Sequence, residues 1–331
     1  MGRLVTFGEI MGRLNPHGYL RLVQSNELEL SFAGGEANVA VAVANLGGEA
    51  AFVTKLPRND LGTMVLRTLR GYGVDTRGIL LGGERLGMYY VEKGASQRPS
   101  RVLYDRKNSA VAEAKRGEFD WDTLLRGADW FHFTGITPAL SDELPLICLD
   151  ALQTARRLGV RVSCDVNYRA NLWTRERAGE VLSALMPYVD VCVAGPEDAE
   201  YVFGIHAPDG ADFSAAARAL RGRFGCETVA AARRGSLSAS DNTWSGVLFD
   251  GERTYASREY RIHLVDRVGG GDSFVGGLIY ALMNGEGPQD AVEFAAAASC
   301  LKQATEYDFS ESSADDVRKL LSGDGSGRIQ R

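Results

Sequence analysis

The chain is poor in the patterns that would set it apart from ordinary globular enzymes. Its five cysteines, Cys148, Cys164, Cys192, Cys226 and Cys300, are scattered with no C-x-x-C pair. That spacing argues against a zinc site or a disulfide framework, and Cys164 and Cys192, in apolar strand-like runs, read as buried free thiols. No run of Lys or Arg offsets the net charge of −6, so no nucleic-acid partner and no anionic lipid surface are expected. No apolar run approaches membrane-spanning length, and Met1-Gly2-Arg3 passes straight into the strand-like Leu4-Val5-Thr6-Phe7 without a hydrophobic leader; no membrane association and a cytoplasmic setting are expected. Internal repeats and low-complexity tracts are missing, and Ser322 to Arg331 reads as a frayed polar tail. Two nucleotide signatures are missing too. There is no Gly-Lys-Ser/Thr of a P-loop, and no G-x-G-x-x-G follows the first strand, which argues against an NAD-linked dehydrogenase.

What is present is a chain of 331 residues, 45% hydrophobic and 24% charged, long enough for one large core with a small appendage. Strand-like runs at Leu4 to Phe7, Ala51 to Lys55, Trp130 to Thr134, Val160 to Asp165, Val189 to Val193 and Thr228 to Ala232 alternate with helical patterns. The helical patterns lie at Asn38 to Leu46, Leu61 to Gly71, Glu143 to Leu158, Arg175 to Leu185 and Phe213 to Phe224. This βαβ order predicts an α/β fold, a parallel sheet covered by helices on both faces, with ligands outside the carboxyl ends of the strands. Residues 10 to 32 and 84 to 110 break the alternation; with Leu86 to Glu92 and Arg101 to Tyr104 as antiparallel strands, they are expected to pair into a small sheet, either a lid over a cleft or mere decoration.

The segment Asp266-Arg267-Val268-Gly269-Gly270-Gly271-Asp272-Ser273-Phe274, followed by the apolar run Val275 to Met283, carries the most chemistry. Glycines opening a helix leave backbone N–H groups and the positive end of the macrodipole free to face an anion. Asp272 then stands where a carboxylate would take a proton from a substrate hydroxyl while the amides hold a phosphoryl group. The plain structural alternative is a capped strand-to-helix turn. A second cluster, Gly34-Gly35-Glu36-Ala37-Asn38, opens a helix of small residues; there the backbone permits close approach and Asn38 offers a donor and an acceptor to a polyol, or the helix is simply capped.

Together, Gly-Gly-x-x-Asn early and Gly-x-Gly-Asp late resemble the two signatures of the PfkB-type, ribokinase-like carbohydrate kinases, over a stretch from the first strand to about residue 310. The resemblance implies a three-layer α/β/α fold with a central, mostly parallel sheet and a small β lid. The core would comprise residues 1-9, 33-83 and 111-331, and the lid 10-32 and 84-110. Asp165-Val166-Asn167-Tyr168-Arg169-Ala170-Asn171-Leu172-Trp173 and Tyr104-Asp105-Arg106-Lys107 look most like the branch acting on keto-deoxy sugar acids. Guanidinium forks at Arg106 and Arg169 suit a carboxylate, unless they pair with structural acids. The resemblance further implies sugar contacts at Gly34, Asn38, Tyr89, Tyr104 and Asp308, although tyrosines in strands are often packing residues. It implies a phosphate element at Arg234, Gly235 and Ser236, where hairpin chemistry with strands Leu237 to Asn242 and Trp244 to Phe249 is the alternative. Ala295 to Ser299 would leave room for adenine.

Two departures from the family pattern are visible. Where relatives carry Asn-x-x-Glu to organise Mg²⁺, this chain reads Gly195-Pro196-Glu197-Asp198; Asp198 keeps a carboxylate for an outer-sphere role, with Glu197 and Glu200 as alternatives. The cradle reads Gly269-Gly270-Gly271-Asp272 where many relatives have Gly-Ala-Gly-Asp, which removes a methyl and keeps the amide, and Asp266 is expected to orient the loop or touch substrate. The expected activity is transfer of a phosphoryl group from ATP with Mg²⁺ to a primary hydroxyl of a small sugar acid, 2-keto-3-deoxygluconate foremost. Asp272 would act as base, with Gly269, Gly270 and Gly271 as anion hole. A neutral-sugar kinase and a non-catalytic sugar or nucleotide sensor are the alternatives, and a homo-oligomer is expected because an exposed lid sheet finds a partner.

Overall fold

A computed structural model describes residues 2–207 and 212–323. The chain starts in β1 (Arg3–Phe7), leaves for β2 (Met11–Asn15) and β3 (Glu29–Ala33), and returns through α1 (Gly35–Asn45) to β4 (Glu49–Leu56). Next come α2 (Asp60–Gly71), β5 (Ile79–Leu81), β6 (Met88–Glu92), β7 (Arg101–Asp105) and α3 (Trp121–Leu124). A regular alternation follows: β8 (Trp130–Thr134), α4 (Leu144–Leu158), β9 (Arg161–Asp165), α5 (Arg175–Leu185), β10 (Val191–Val193), α6 (Pro196–Phe203) and α7 (Phe213–Phe224). The last part holds β11 (Thr228–Ser236), β12 (Asp241–Phe249), β13 (Thr254–Ala256), β14 (Tyr260–His263), α8 (Gly270–Met283), α9 (Pro288–Lys302) and α10 (Ala314–Leu321).

The large sheet runs β13-β12-β11-β10-β9-β8-β1-β4-β5, with β14 also on β12. It is parallel from β11 through β5 and antiparallel beyond β11. Period-two alternation sends Val5, Phe7, Ala51 and Val53 to one face, packed with α4 to α7. Leu4, Ala50 and Phe52 go to the other, packed with α1, α8 and α9. The three-layer architecture expected from the βαβ order is therefore present. Among the described residues no helix is long and apolar enough to cross a membrane, and the five cysteines are free, four of them buried.

A separate four-stranded sheet, β3-β2-β6-β7, stands apart from the large one. Its strands are bolted to the main body: Arg13 of β2, wholly buried, pairs with Asp266 at 2.5 Å and with Asp308. Burial alone would lower the Arg13 pKa, and the two carboxylates more than reverse that.

Three local expectations need correction. Leu237 to Ser240 form the turn and Asp241 and Asn242 open β12, so the hairpin joins β11 to β12 directly, and Ser238 Oγ closes the turn by accepting the Ser240 and Asp241 amides. Gly235 consequently lies in the ladder opposite Thr243, where a Cβ would meet Thr243 Oγ1 at 2.5 Å, and not in a turn. Ala295 to Ser299 lie buried in α9 against α8, where a Cβ on Gly277 would sit 3.0 Å from Ala298 Cβ; they pack helices and open no adenine space. The polar tail falls outside the described residues from residue 324 onward.

Candidate active site

Strand order reverses at β1: the chain moves from β1 to β4 on one side and later to β8 on the other. Such a switch point opens a crevice at the strands' carboxyl ends, and the two glycine clusters meet there. Gly34 ends β3 so close to the Glu9 carbonyl that a Cβ would lie 1.9 Å from it, so no other residue lets the chain enter α1 at this point. Gly269 takes φ +83 as the cap of α8, and a Cβ there would strike the Asp308 carbonyl at 2.1 Å. With both helix starts held, Asn38 on α1 donates its side-chain N–H to Asp272 Oδ2 at 2.6 Å.

Asp272 lies in the first turn of α8, half-buried. Burial pushes its carboxyl up to about 6; the Asn38 amide and Arg169 pull down, while Asp308 and Glu36 push up. Such a group is ionised at neutral pH yet basic enough to accept a proton. Next to it, the amides of Gly271 and Asp272 donate to no group among the described residues. A Cβ on Gly271 would meet nothing within 4 Å, so that face of the helix start is open.

One cleft is lined by Gly34, Asn38, Tyr89, Tyr104, Arg106 and Arg169, together with Asp272 and Asp308. Within it the side chains differ in freedom. Arg169 is exposed and makes no side-chain hydrogen bond or ion pair among the described residues. Arg106 is matched by the buried carboxylate of Glu9, its Nε donating at 2.8 Å. Asp308 has both oxygens taken, by Arg13 and by Tyr89 Oη at 2.8 Å, so it anchors the small sheet from the floor of the cleft. Tyr89, raised in pKa by burial first and by Asp308 next, stacks on Tyr104 at 6.0 Å; Tyr104 is 45% exposed. Asn38 Oδ1 accepts the Gly34 amide, so this side chain holds the site together as well as bordering it. Asp266 accepts the Val268 amide at 3.1 Å and so orients the loop into the cradle.

A groove of about 770 Å³ adjoins the cleft, lined by Gly195, Asp198, Ala232, Arg234 and Trp244. Of the three phosphate-element residues only Arg234 faces it; Gly235 and Ser236 lie further along β11. Asn167, held at φ +39, borders both groove and cleft. Between them, Asp165 at the end of β9 is pushed well up by burial and then by Asp198 and Asp272. Asp198 is raised by burial despite accepting the Gly195 amide at 3.1 Å. Neither Asp165, Asn167 nor Glu9 was singled out from sequence as a site residue; the usable signal was their place at or just past strand ends.

The arrangement is that of an α/β phosphotransferase: a carboxylate at a glycine-opened helix start, between a small polar cleft and a larger groove. Residues 1–311 match the model of the pfkB family carbohydrate kinases, and the chain belongs to that family. It is 37% identical over 326 residues to the 2-dehydro-3-deoxygalactonokinase of Haloferax volcanii, covering 98% of each chain. The crystal structure of 2-dehydro-3-deoxygluconokinase from Thermotoga maritima superposes with a TM-score of 0.95 at 49% identity, covering 98% of this chain and 100% of that one. A putative ribokinase II from E. coli in complex with ATP and Mg²⁺ shares the fold, with a TM-score of 0.83 at 18% identity over 97% of this chain and 99% of that one.

Proposed function

We propose that this kinase transfers the γ-phosphoryl group of ATP to the primary hydroxyl of a 2-keto-3-deoxy sugar acid, 2-keto-3-deoxygluconate first and its galactonate epimer second. The single observation that carries the acid substrate is Arg169, a guanidinium in the cleft with no side-chain hydrogen bond or ion pair among the described residues. A bidentate fork left open in a polar cleft suits a planar carboxylate. The names of the relatives above point the same way.

In this reading Asp272 accepts the hydroxyl proton as the oxygen attacks, and Asn38 keeps the carboxylate ionised and aimed. The Gly269–Gly271 amides and the positive end of α8 oppose the charge that grows on the phosphoryl oxygens. Arg169 fixes the acid end so that the hydroxyl at the other end reaches Asp272. Arg234 neutralises the polyphosphate in the groove. Residues 10–32 and 84–110 form the lid that excludes water, with Tyr89 and Tyr104 over the sugar.

Mg²⁺ fits the donors between groove and cleft, since Asp165, Asp198 and Asn167 offer hard oxygens and the two carboxyls are held high by burial first and by neighbouring carboxylates, with Arg169 opposing. Among the described residues no three acidic, His or Cys side chains converge as direct ligands, so these residues suit a hydrated ion held through its waters. When bound, the ion would neutralise charge on the β- and γ-phosphates. One observation favours a neutral sugar as a second reading: Arg106 is already matched by Glu9. For assembly, we take the exposed edge strand β7, with Val102 and Leu103 exposed, as the contact with a second copy of this chain.

The test is ADP release over a panel of keto-deoxy sugar acids, fructose and ribose, run on wild type and Arg169→Ala. The acid reading expects the sugar acids to have the highest kcat/KM and Arg169→Ala to lose ~10- to 100-fold on them alone. Fructose or ribose as the best substrate, or an unaltered Arg169→Ala, would overturn it.

A further inference from the structure

Lys302 is a lysine with no exposed surface, at the last turn of a helix whose other buried residues are apolar or small. A buried ammonium is costly unless its charge serves a purpose. Its one hydrogen bond among the described residues runs from Nζ to the backbone carbonyl of Asp266 at 3.2 Å. Two neighbours on the same turn reach the same loop. Ser299 Oγ donates to the Gly270 carbonyl at 2.6 Å. The Gln303 carbonyl accepts the Val265 and Asp266 amides at 3.0 and 3.4 Å, and the Gln303 side chain fills the space where a Cβ on Gly270 would stand.

This grip has a geometric consequence. In a trans peptide the C=O of one residue and the N–H of the next point in opposite directions. Ser299 holds the Gly270 carbonyl from the α9 side, so the Gly271 N–H of the same peptide points away from Ser299, where it has no protein partner. Lys302 likewise holds the Asp266 carbonyl at the loop's entry, and its charge joins that of Arg13 against the two carboxylates of Asp266 and Asp308. Both act from the side of the loop away from the cleft.

We infer that Ser299 and Lys302 are positioning residues for the phosphate cradle: together they set the direction of the Gly271 amide, and Lys302 adds positive potential behind it. This rests on the cradle's role in the proposed phosphoryl transfer. Neither residue touches the sugar, so their loss should lower kcat with the KM for the sugar acid unchanged. Lys302→Met, close in size and uncharged, should lower kcat ~10- to 100-fold, and Ser299→Ala about 10-fold, since the donor is misaimed and not lost, which would cost about 10²- to 10³-fold. Lys302→Ala should regain part of its kcat with added ammonium or methylammonium in a saturable way, and not with tetramethylammonium, which is too large for the vacated space.

Calorimetric binding of MgADP with aluminium fluoride, a mimic of the phosphoryl group in flight, needs no sugar and separates this inference from the substrate assignment. It should weaken ~10-fold in Ser299→Ala and Lys302→Met, while MgADP alone binds as in wild type. An inactive wild type on every sugar acid would count against the substrate alone. Wild-type kcat and wild-type mimic binding in folded Lys302→Met and Ser299→Ala would overturn the grip. If Lys302→Met does not fold, as judged by circular dichroism, Ser299→Ala decides: a fall in kcat and mimic binding supports the inference, and no change refutes it.

Discussion

Removing the Asn38 side chain should move the pH dependence of catalysis in a calculable direction. Asn38 donates at 2.6 Å to the carboxylate of Asp272, which favours the ionised form; without it the Asp272 pKa, already pushed up to about 6 by burial, must rise. A hydrogen bond to an ionised group contributes ~1.5–3 kcal/mol, and a pKa unit corresponds to about 1.4 kcal/mol. Asp272 is only half-buried, so water takes over part of the lost bond, and an upward shift of about 1 unit is expected. The acid limb of kcat/KM should then move from about pH 6 in wild type to ~7 in Asn38→Ala. At pH 6 the ionised fraction falls from about one half to about one tenth, a ~5-fold loss, while at pH 8.5 the titration removes almost nothing. Product formation measured from pH 5 to 9 on both proteins reads this directly. Asn38 also lines the cleft, so the absolute rate does not isolate the titration; the displacement of the limb does. An acid limb that stays in place in Asn38→Ala would refute the link between this amide and the base.

Three further outcomes follow from the packing. Arg13→Met leaves Asp266 and Asp308 without their buried cation and should lower the unfolding free energy by about 3–5 kcal/mol, read as a lower urea midpoint; an unmoved midpoint would contradict the pairing. Gly271→Ala should fold with wild-type thermal stability, because its methyl meets nothing within 4 Å, yet lose activity as that methyl enters the cradle. Gly269→Ala, at φ +83 and against the Asp308 carbonyl, should instead unfold more easily, and similar stability losses in both would remove the distinction. Asp272 holds its proton more tightly folded than unfolded, so its contribution to stability is present below pH 4 and is lost as pH rises toward 6. Asp272→Asn should therefore match wild type at pH 4 and exceed it by ~1–2 kcal/mol at pH 7.5, and equal stability at both pH values would sink that reasoning.

The alternation of strands and helices was legible because each apolar period is local: Arg175–Leu185 and Phe213–Phe224 lie where their spacing puts them. Glycine spacing pointed to both helix starts for the same reason, since the backbone demand at Gly34 and Gly269 is written into one position each. Partners far apart in the chain were not legible. Nothing local says that Arg13 will meet Asp266 and Asp308, or that Glu9 will take up Arg106, because each pair joins segments far apart in the chain that only the tertiary fold brings together. The Ser-rich stretch after Gly235 carries turn chemistry in its Ser and Asp side chains, which an alternating pattern hid. Small residues at 295 to 299 serve helix packing and adenine clearance equally well on paper, and only their burial against α8 decides.

The central claim is that Asp272 takes the proton from the sugar hydroxyl while the groove independently binds the nucleotide. Turnover of Asp272→Asn, with the affinity for a non-hydrolysable ATP analogue measured on the same preparation, tests it. The account predicts a fall in kcat of ~10²- to 10⁴-fold with nucleotide affinity unchanged; undiminished turnover would contradict it.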